Sequence, residues 1–196
     1  MLYCDYIQSQ ENVTIHLLSE FCSYSTQKTD NSRLSLDEYV TTDNLLPDKK
    51  GITLAKNLPS TGAVTCNRGD VLISNIRPYL KKIYYCQTTM GCSTDVLCIR
   101  PIPEMSEYIY CCLYHNAFFD YMMSGSKGTK MPRGDKNQIM QYPIAVPSQY
   151  RLSEFNNLAR NSLRTIGNNE LENRKLMRIR DCLLPLLMSG QATIAD

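Results

Sequence analysis

The forty residues that follow Pro147 constrain the fold of this chain more than any other feature. From Ser148 to Leu187 the sequence contains one glycine, and its only proline is Pro185. Apolar residues recur there every three or four positions, at 152, 155, 159, 163 and 166 and then at 176, 179, 183 and 187. This spacing aligns them along one face of an α-helix. The segment is therefore predicted to be a helix from about Tyr150 to Met188.

Polar residues interrupt this apolar face at Gly167–Asn169 and at Asn173. Either the helix breaks there into a hairpin, or it continues and the polar residues set its register; we favour continuity. A continuous helix would be about 55 Å long, longer than a domain of about 150 residues is wide. It therefore needs a partner chain, and the residues expected at that coiled-coil contact are Leu152, Phe155, Ile166, Leu176, Ile179, Leu183 and Leu187.

The residues before the helix are typical of a strand-rich domain with one or two helices. Short apolar or alternating runs separated by turn formers predict strands at 64–66, 71–74, 82–86 and 96–99. A single helix is predicted from Pro103 to Ser124, then one helical turn at 137–141 and a strand at 143–147. The fold class is α+β. Residues 1–147 are expected to form a mixed, strand-rich domain, 148–190 one long helix, and 191–196 a tail.

Basic residues are concentrated in the middle of the chain. The formal net charge is only +2, but residues 1–48 carry two bases and eight acids, whereas residues 49–149 carry twelve bases and six acids. The densest basic segment, Ser124–Lys136, contains three glycines and a proline, which predict a loop. Such a loop either brings cations and main-chain N–H groups to a phosphate backbone or is simply solvated.

The sequence lacks the motifs of the enzymes considered. It has no phosphate-binding G-x-x-x-x-G-K-[ST] loop, and no glycine-rich turn with the [ND]-P-P-[YF] tetrapeptide of adenine methyltransferases. Cys111 or Cys112 with His115 is a conceivable nucleophile pair of poor geometry, so we expect no catalytic residue.

The nine cysteines form no C-x-x-C pair, and no histidine lies at metal-ligand spacing. Reduced, buried thiols and no metal are therefore expected. With no membrane span and no secretory signal, the expected location is the cytoplasm.

Four segments together resemble the DNA specificity subunit of type I restriction–modification enzymes. They are Asn67–Lys82, Gly91–Leu97, Ser124–Met140 and Glu172–Gly190. In that family a target recognition domain precedes a long conserved helix, and a complete subunit contains this pair twice. The resemblance implies a half-subunit that acts as a homodimer with antiparallel helices and reads a bipartite site with inverted half-sites.

The resemblance also implies partners and site residues. The partners are double-stranded DNA, methyltransferase subunits that supply S-adenosylmethionine and the chemistry, and, where a system has one, the restriction (motor-nuclease) subunit. This chain itself would be non-catalytic and hold no cofactor. Phosphate contacts are expected from Lys127, Lys130, Arg133 and Lys136. Other expected DNA contacts are Asn75, Arg77, Lys81, Lys82, Thr94 and Thr129. Base readout is assigned to Asn75, Arg77 and Thr94 and to the segment Thr41–Asn57.

A second hypothesis stays open at this point. A truncated assembly or regulatory protein could pair through the same helix with specificity or methyltransferase subunits and never read DNA itself. Whether the purified chain with a methyltransferase protects a plasmid from cognate cleavage, or only blocks assembly, would separate the two hypotheses.

Overall fold

Short strands make up most of the chain before the long helix. The computed structural model describes residues 13–30, 32, 34–60, 62–128 and 130–191. The strands are β1 (Thr14–Leu17), β2 (Cys22–Tyr24), β3 (Lys28–Thr29), β4 (Tyr39–Val40), β5 (Ala63–Cys66), β6 (Val71–Ser74), β7 (Ile83–Tyr85), β8 (Met90–Cys92), β9 (Val96–Pro101) and β10 (Pro143–Val146). The helices are α1 (Ser106–Tyr114), α2 (Asn116–Ser124), α3 (Lys136–Met140) and α4 (Gln149–Met188).

Two four-stranded sheets enclose a shared core. One is antiparallel with the order β2-β9-β6-β7, and the other has the order β3-β5-β8-β4, in which β4 and β8 are parallel. The apolar runs of β6 and β9 pair along their length and are buried. A buried cluster joins Leu72, Tyr84 and Cys98 of the first sheet to Val40 and Cys92 of the second. A separate antiparallel pair, β1 with β10, precedes α4.

The prediction of a single helix between Pro103 and Ser124 is wrong at one residue. A 3-10 turn, Pro103–Met105, leads into α1, and α1 ends before His115. His115 has extended backbone angles, and its Nδ1 accepts the N–H of Ala117 at 3.3 Å. It therefore caps a new helix, α2, and does not continue the first. The apolar spacing runs through both helices and gives no sign of this break.

A buried ion pair fixes the turn between β5 and β6. Gly69 has a φ of +92°, which glycine adopts without strain. Asp70 is 3% exposed and accepts two hydrogen bonds from the Arg100 guanidinium, at 3.0 Å from Nε and 2.7 Å from Nη2. The same carboxylate accepts the N–H of Asn67 at 2.8 Å. Asp70 thus joins this turn to β9, an inner strand of the first sheet, on which Arg100 lies.

The helix α4 runs without a break from Gln149 to Met188, through Gly167–Asn169. The prediction of continuity is therefore confirmed, and so is the α+β fold class. The chain divides after Arg160 into two compact units. The predicted boundary at 147/148 marks the start of the helix, whereas the first unit also includes the first three turns of α4. Within the described part of the chain, no helix is long and apolar enough to cross a membrane.

The apolar face of α4 differs between the two units. In the first unit, Leu152 and Phe155 are buried, and the Phe155 ring meets Tyr108 edge-on at 5.4 Å. In the second unit, the predicted contact residues are exposed by between 38% and 55%; they are Ile166, Leu176, Ile179, Leu183 and Leu187. The second unit therefore presents a row of large apolar side chains to solvent.

Candidate nucleic-acid interface

The described residues of the basic segment Ser124–Lys136 connect the end of α2 to the start of α3, and we call this segment the basic loop. Lys127 and Arg133 pair through two main-chain hydrogen bonds of 3.0 Å each, which closes the loop at its base. Gly128 has a φ of +94° inside this closure. At the end of the loop, the Asp135 carboxylate accepts the N–H groups of Asn137 and Gln138 and so caps α3. The described part of the predicted loop is therefore held by hydrogen bonds both at its base and where α3 begins.

Main-chain hydrogen bonds fasten the basic loop to the segment after β6. The N–H of Arg77 donates to the carbonyl of Pro132 at 2.8 Å, and the N–H of Gly134 donates to the carbonyl of Asn75 at 3.1 Å. Asn75 in turn donates its N–H to the carbonyl of Asp95 at 2.9 Å. Three segments that are far apart in sequence, around residues 75–77, 94–95 and 132–134, therefore meet.

Exposed cations collect on and beside this junction. We call Arg77, Lys127, Lys130, Arg133 and Lys136, all exposed, the basic surface. Lys130 makes no ion pair with any residue that the structure describes. The basic surface can thus offer several positive charges to a polyanion.

Two carboxylates hold part of the basic surface in place. The Arg133 Nη1 lies 3.2 Å from Asp95 Oδ1, and the Lys127 Nζ lies 3.4 Å from Asp135 Oδ2. Hydrogen bonds from the main chain of Gln138 and Asn137, aided by Lys127, lower the pKa of Asp135. Both cations are more than half exposed, so these ion pairs are weak, and a phosphate can take the place of either carboxylate.

Several expected DNA-contact residues lie beneath or beside the basic surface. Asn75 is only 9% exposed and packs under Gly134. A Cβ atom added at Gly134 would lie 3.0 Å from the Oδ1 of Asn75. The Lys82 ammonium donates to the carbonyl of Thr42, and burial lowers its pKa. Lys81 is half-buried, whereas Thr94 is exposed on the turn between β8 and β9. Thr129 lies outside the described residues.

The segment Thr41–Asn57 is held by one buried side chain. The Asn44 amide donates to the carbonyls of Tyr39 and Thr53 at 2.9 Å each, and its Oδ1 accepts the N–H of Thr41. The main-chain N–H groups of Asp48 and Lys49 donate to the carbonyls of Leu80 and Lys81. The segment therefore borders the turn that follows Arg77, although no motif in the sequence indicated this contact.

Burial makes two of the described cysteines, Cys22 and Cys111, unsuited to act as nucleophiles. Eight of the nine fall in the described part of the chain, and all eight are free. Burial raises the pKa of Cys111 to about 12, and that of Cys22 to about 12 as well. A thiol nucleophile requires the opposite shift. Among the described residues, no group of three or more His, Cys, Asp or Glu side chains could hold a metal ion.

These thiols should differ sharply in reactivity. With a pKa of about 12, roughly one in 10⁴ of the Cys22 and Cys111 side chains is a thiolate at pH 8. Iodoacetamide at pH 8, followed by peptide mass spectrometry over time, should modify the exposed Cys182 at least about tenfold faster than either. Rapid modification of Cys111 in the folded chain would instead restore the Cys–His hypothesis.

Comparison with known proteins gives a likeness in structure only. No family model and no curated protein matches the sequence. A solved structure from work on complex assembly and conformational transition of the type I R-M system matches with a TM-score of 0.59 and 21% identity, over 92% of this chain and 48% of that chain. The HsdS subunit from Thermoanaerobacter tengcongensis matches with a TM-score of 0.54 and 21% identity, over 87% and 45%.

A third solved structure extends the same pattern. The type I restriction–modification S subunit from M. genitalium matches with a TM-score of 0.54 and 11% identity, over 88% of this chain and 43% of that chain. The chain thus spans less than half the length of each of the three. The fold shared with these three structures is a single strand-rich domain followed by one long helix.

Proposed function

We propose that a chain with this fold is a non-catalytic DNA-recognition subunit of a type I restriction–modification system. The observation that carries the proposal is the shared fold over about nine-tenths of the chain, which includes both the strand-rich domain and the long helix. In this proposal, the chain directs methyltransferase subunits, and a restriction subunit where one exists, to a DNA site. Methyl transfer and cleavage take place on those partners.

Affinity for DNA would come from the basic surface. Lys127, Lys130 and Arg133 are exposed on the loop, whose main chain is held by hydrogen bonds, and Lys136 is exposed at the first position of α3. Cations held in this way can contact phosphates without ordering a flexible loop on binding. Arg77 and Thr94, which flank the loop, are the exposed candidates for contacts to base edges.

Pairing would come from the second unit of α4. Its row of apolar side chains, Leu176, Ile179, Leu183 and Leu187, follows the spacing of a helix–helix contact and is exposed in the single chain. We propose that two copies pair there with antiparallel helices, as a two-fold symmetric dimer. Such a dimer reads two identical, inverted half-sites, and the helices set the gap between them.

Site selection in a random DNA library tests this function. The purified chain, mixed with its methyltransferase subunit, should enrich a split motif whose halves are inverted repeats. A complex that assembles but enriches no motif would contradict DNA reading and favour the assembly hypothesis. A motif with a single half would instead contradict the two-fold pairing.

A double substitution in the basic loop tests the phosphate contacts. Lys130→Ala with Arg133→Ala should weaken binding to every sequence by about tenfold to a hundredfold, and should reduce the salt slope by about 2, because two counterion-releasing contacts are lost. The main-chain bonds of Arg133 do not depend on its side chain, so the loop should keep its conformation. Fluorescence anisotropy across a salt series gives both quantities.

The control for this pair removes the same charge elsewhere. Arg151→Ala with Lys175→Ala deletes two exposed cations on α4 and should leave the salt slope unchanged within about 0.5. If the loop variant instead alters the preference at one base position and leaves the salt slope intact, then Lys130 and Arg133 read bases and do not contact phosphates.

A further inference from the structure

Strained backbone is concentrated in two neighbouring turns, one at residues 47–50 and one at residues 77–81. Within the described part of the chain, the only non-glycine residues with a positive φ are Asp48 (54°), Lys49 (61°), Arg77 (53°) and Lys81 (50°). Residues with a Cβ atom rarely adopt this left-handed conformation, because Cβ crowds the following carbonyl oxygen. Such residues are concentrated at functional sites, where the surrounding structure holds them. The two turns therefore point to a role beyond folding.

Hydrogen bonds hold the second turn from two sides. Arg77 and Lys81 flank the 3-10 turn Pro78–Leu80, and we call the whole segment Arg77–Lys81 the clamped turn. The N–H of Arg77 donates to the carbonyl of Pro132 in the basic loop at 2.8 Å. On the other side, the carbonyls of residues 80 and 81 accept the main-chain N–H groups of residues 48 and 49 at 2.9 and 3.1 Å. The clamped turn is therefore fixed between the basic loop and the first turn.

The Lys49 side chain fastens the first turn to the helices. Its ammonium donates to Oδ1 of Asn116 at 2.9 Å and lies 4.6 Å from the centre of the Tyr114 ring. A cation over an aromatic ring is attracted to the negative face of the ring. Although Lys49 belongs to the segment expected to read bases, its charge is thus engaged within the domain, where it supports the clamped turn from behind.

Tyr79 lies at the middle of the clamped turn and is 50% exposed. Residues 47–50 and 77–82 together contain five bases and one acid, so the surroundings of the ring attract a polyanion. The ring itself cannot neutralise a phosphate, but it offers a large contact area and has only two rotatable side-chain bonds to order. An aromatic ring held rigidly among cations is therefore suited to contact a base, while the neighbouring cations contact the phosphates.

We propose that Tyr79 contacts base edges and determines the preference of this chain at one or two adjacent base pairs. This inference rests on the proposed function, because it requires that the chain reads DNA. The base pairs differ in the polar groups and methyl groups that they expose in the major groove, so a ring in a fixed position distinguishes among them. The clamped main chain loses little freedom when the ring meets DNA.

Single-base variants of the selected DNA motif test this role. The chain with its methyltransferase subunit first selects a motif, and fluorescence anisotropy then compares that motif with each variant. With the unmodified chain, a mismatch at a contacted base pair should weaken binding by about fivefold to 150-fold. Tyr79→Ala should reduce this ratio to below about threefold at one or two adjacent positions, and should leave the salt slope and the ratios elsewhere unchanged. The control, Tyr150→Ala, removes an exposed tyrosine of α4 and should leave every ratio unchanged.

A second measurement needs no substitution. Acetylation of exposed tyrosines by N-acetylimidazole, read by peptide mass spectrometry, should be at least about fivefold slower at Tyr79 when the complex holds the selected motif than when it holds no DNA. The rate at Tyr150 should not change on addition of DNA. This comparison decides the question if Tyr79→Ala fails to fold.

Three results would overturn the proposal. A uniform loss of affinity in Tyr79→Ala would show that the ring contacts only the sugar–phosphate backbone. Unchanged ratios in that variant, or equal acetylation of Tyr79 with and without DNA, would show that it contacts no base. In each of these cases the unmodified chain still selects a motif, so the proposed function stands. If the unmodified chain selects no motif, the proposed function fails and this inference fails with it.

Discussion

Replacing Leu183 by glutamate is expected to separate the paired chains into monomers. Leu183 lies in the exposed apolar row of the second unit of α4, which we propose as the dimer contact. A two-fold dimer would carry the new charge twice, in a contact where each unpaired carboxylate costs several kcal/mol. The dimer dissociation constant should therefore rise by at least about a hundredfold. Sedimentation velocity over a range of concentrations measures this change.

The neighbouring residue supplies a matched control for Leu183. Cys182 is exposed and lies about 100° away around the helix axis, off the apolar row. Cys182→Glu adds the same charge at nearly the same height and should leave the dissociation constant within about threefold of that of the unmodified chain. Equal effects of the two substitutions, or an unmodified chain that is monomeric at high concentration, would contradict the proposed contact.

Loss of the Asp70 carboxylate is expected to destabilise the strand-rich domain strongly. Asp70→Ala leaves the Arg100 guanidinium without its bidentate partner and removes the acceptor for the N–H of Asn67. Breaking a buried ion pair from one side costs about 3–5 kcal/mol. Because Arg100 is 26% exposed and retains access to water, we expect about 2–4 kcal/mol. Urea unfolding, monitored by circular dichroism, gives the free energy.

Asp120→Ala serves as the comparison for Asp70, since Asp120 is an exposed carboxylate on α2. It should change the free energy of unfolding by less than about 0.5 kcal/mol. A loss of less than about 1 kcal/mol for Asp70→Ala would show that Arg100 finds other partners, such as the Thr65 carbonyl to which its Nη2 already donates.

The fold was predictable where apolar spacing alone decides the structure. The runs at 71–74 and 96–99 became β6 and the first part of β9, and the spacing after Pro147 became α4. The glycine and asparagines at 167–169 did not break that helix. In contrast, the end of α1 at His115 depends on the backbone angles of that residue and one side-chain cap. Such a local choice leaves no trace in the apolar pattern.

The charges of the candidate site were predictable from the sequence, but the main-chain hydrogen bonds that position it were not. The glycines and lysines of the basic loop identified it as a cationic loop, yet its position follows from main-chain bonds at Asn75, Arg77 and Gly134. Main-chain bonds of this kind are available to any residue except for the N–H of proline. A sequence therefore cannot reveal them. The same holds for the burial of Asn75, which its polar side chain gave no reason to expect.

Under the proposed function, those main-chain hydrogen bonds would allow this domain to acquire a new DNA preference. The carbonyls and N–H groups that locate the basic loop belong to the peptide backbone, so replacement of exposed side chains such as Thr94 and Arg77 leaves the attachment intact. Mutational drift at these positions would then alter the proposed contacts to base edges at little cost in folding. A library in which these exposed positions are randomised should yield many well-folded members. The surface beside the basic loop would therefore be suitable for engineering altered specificity.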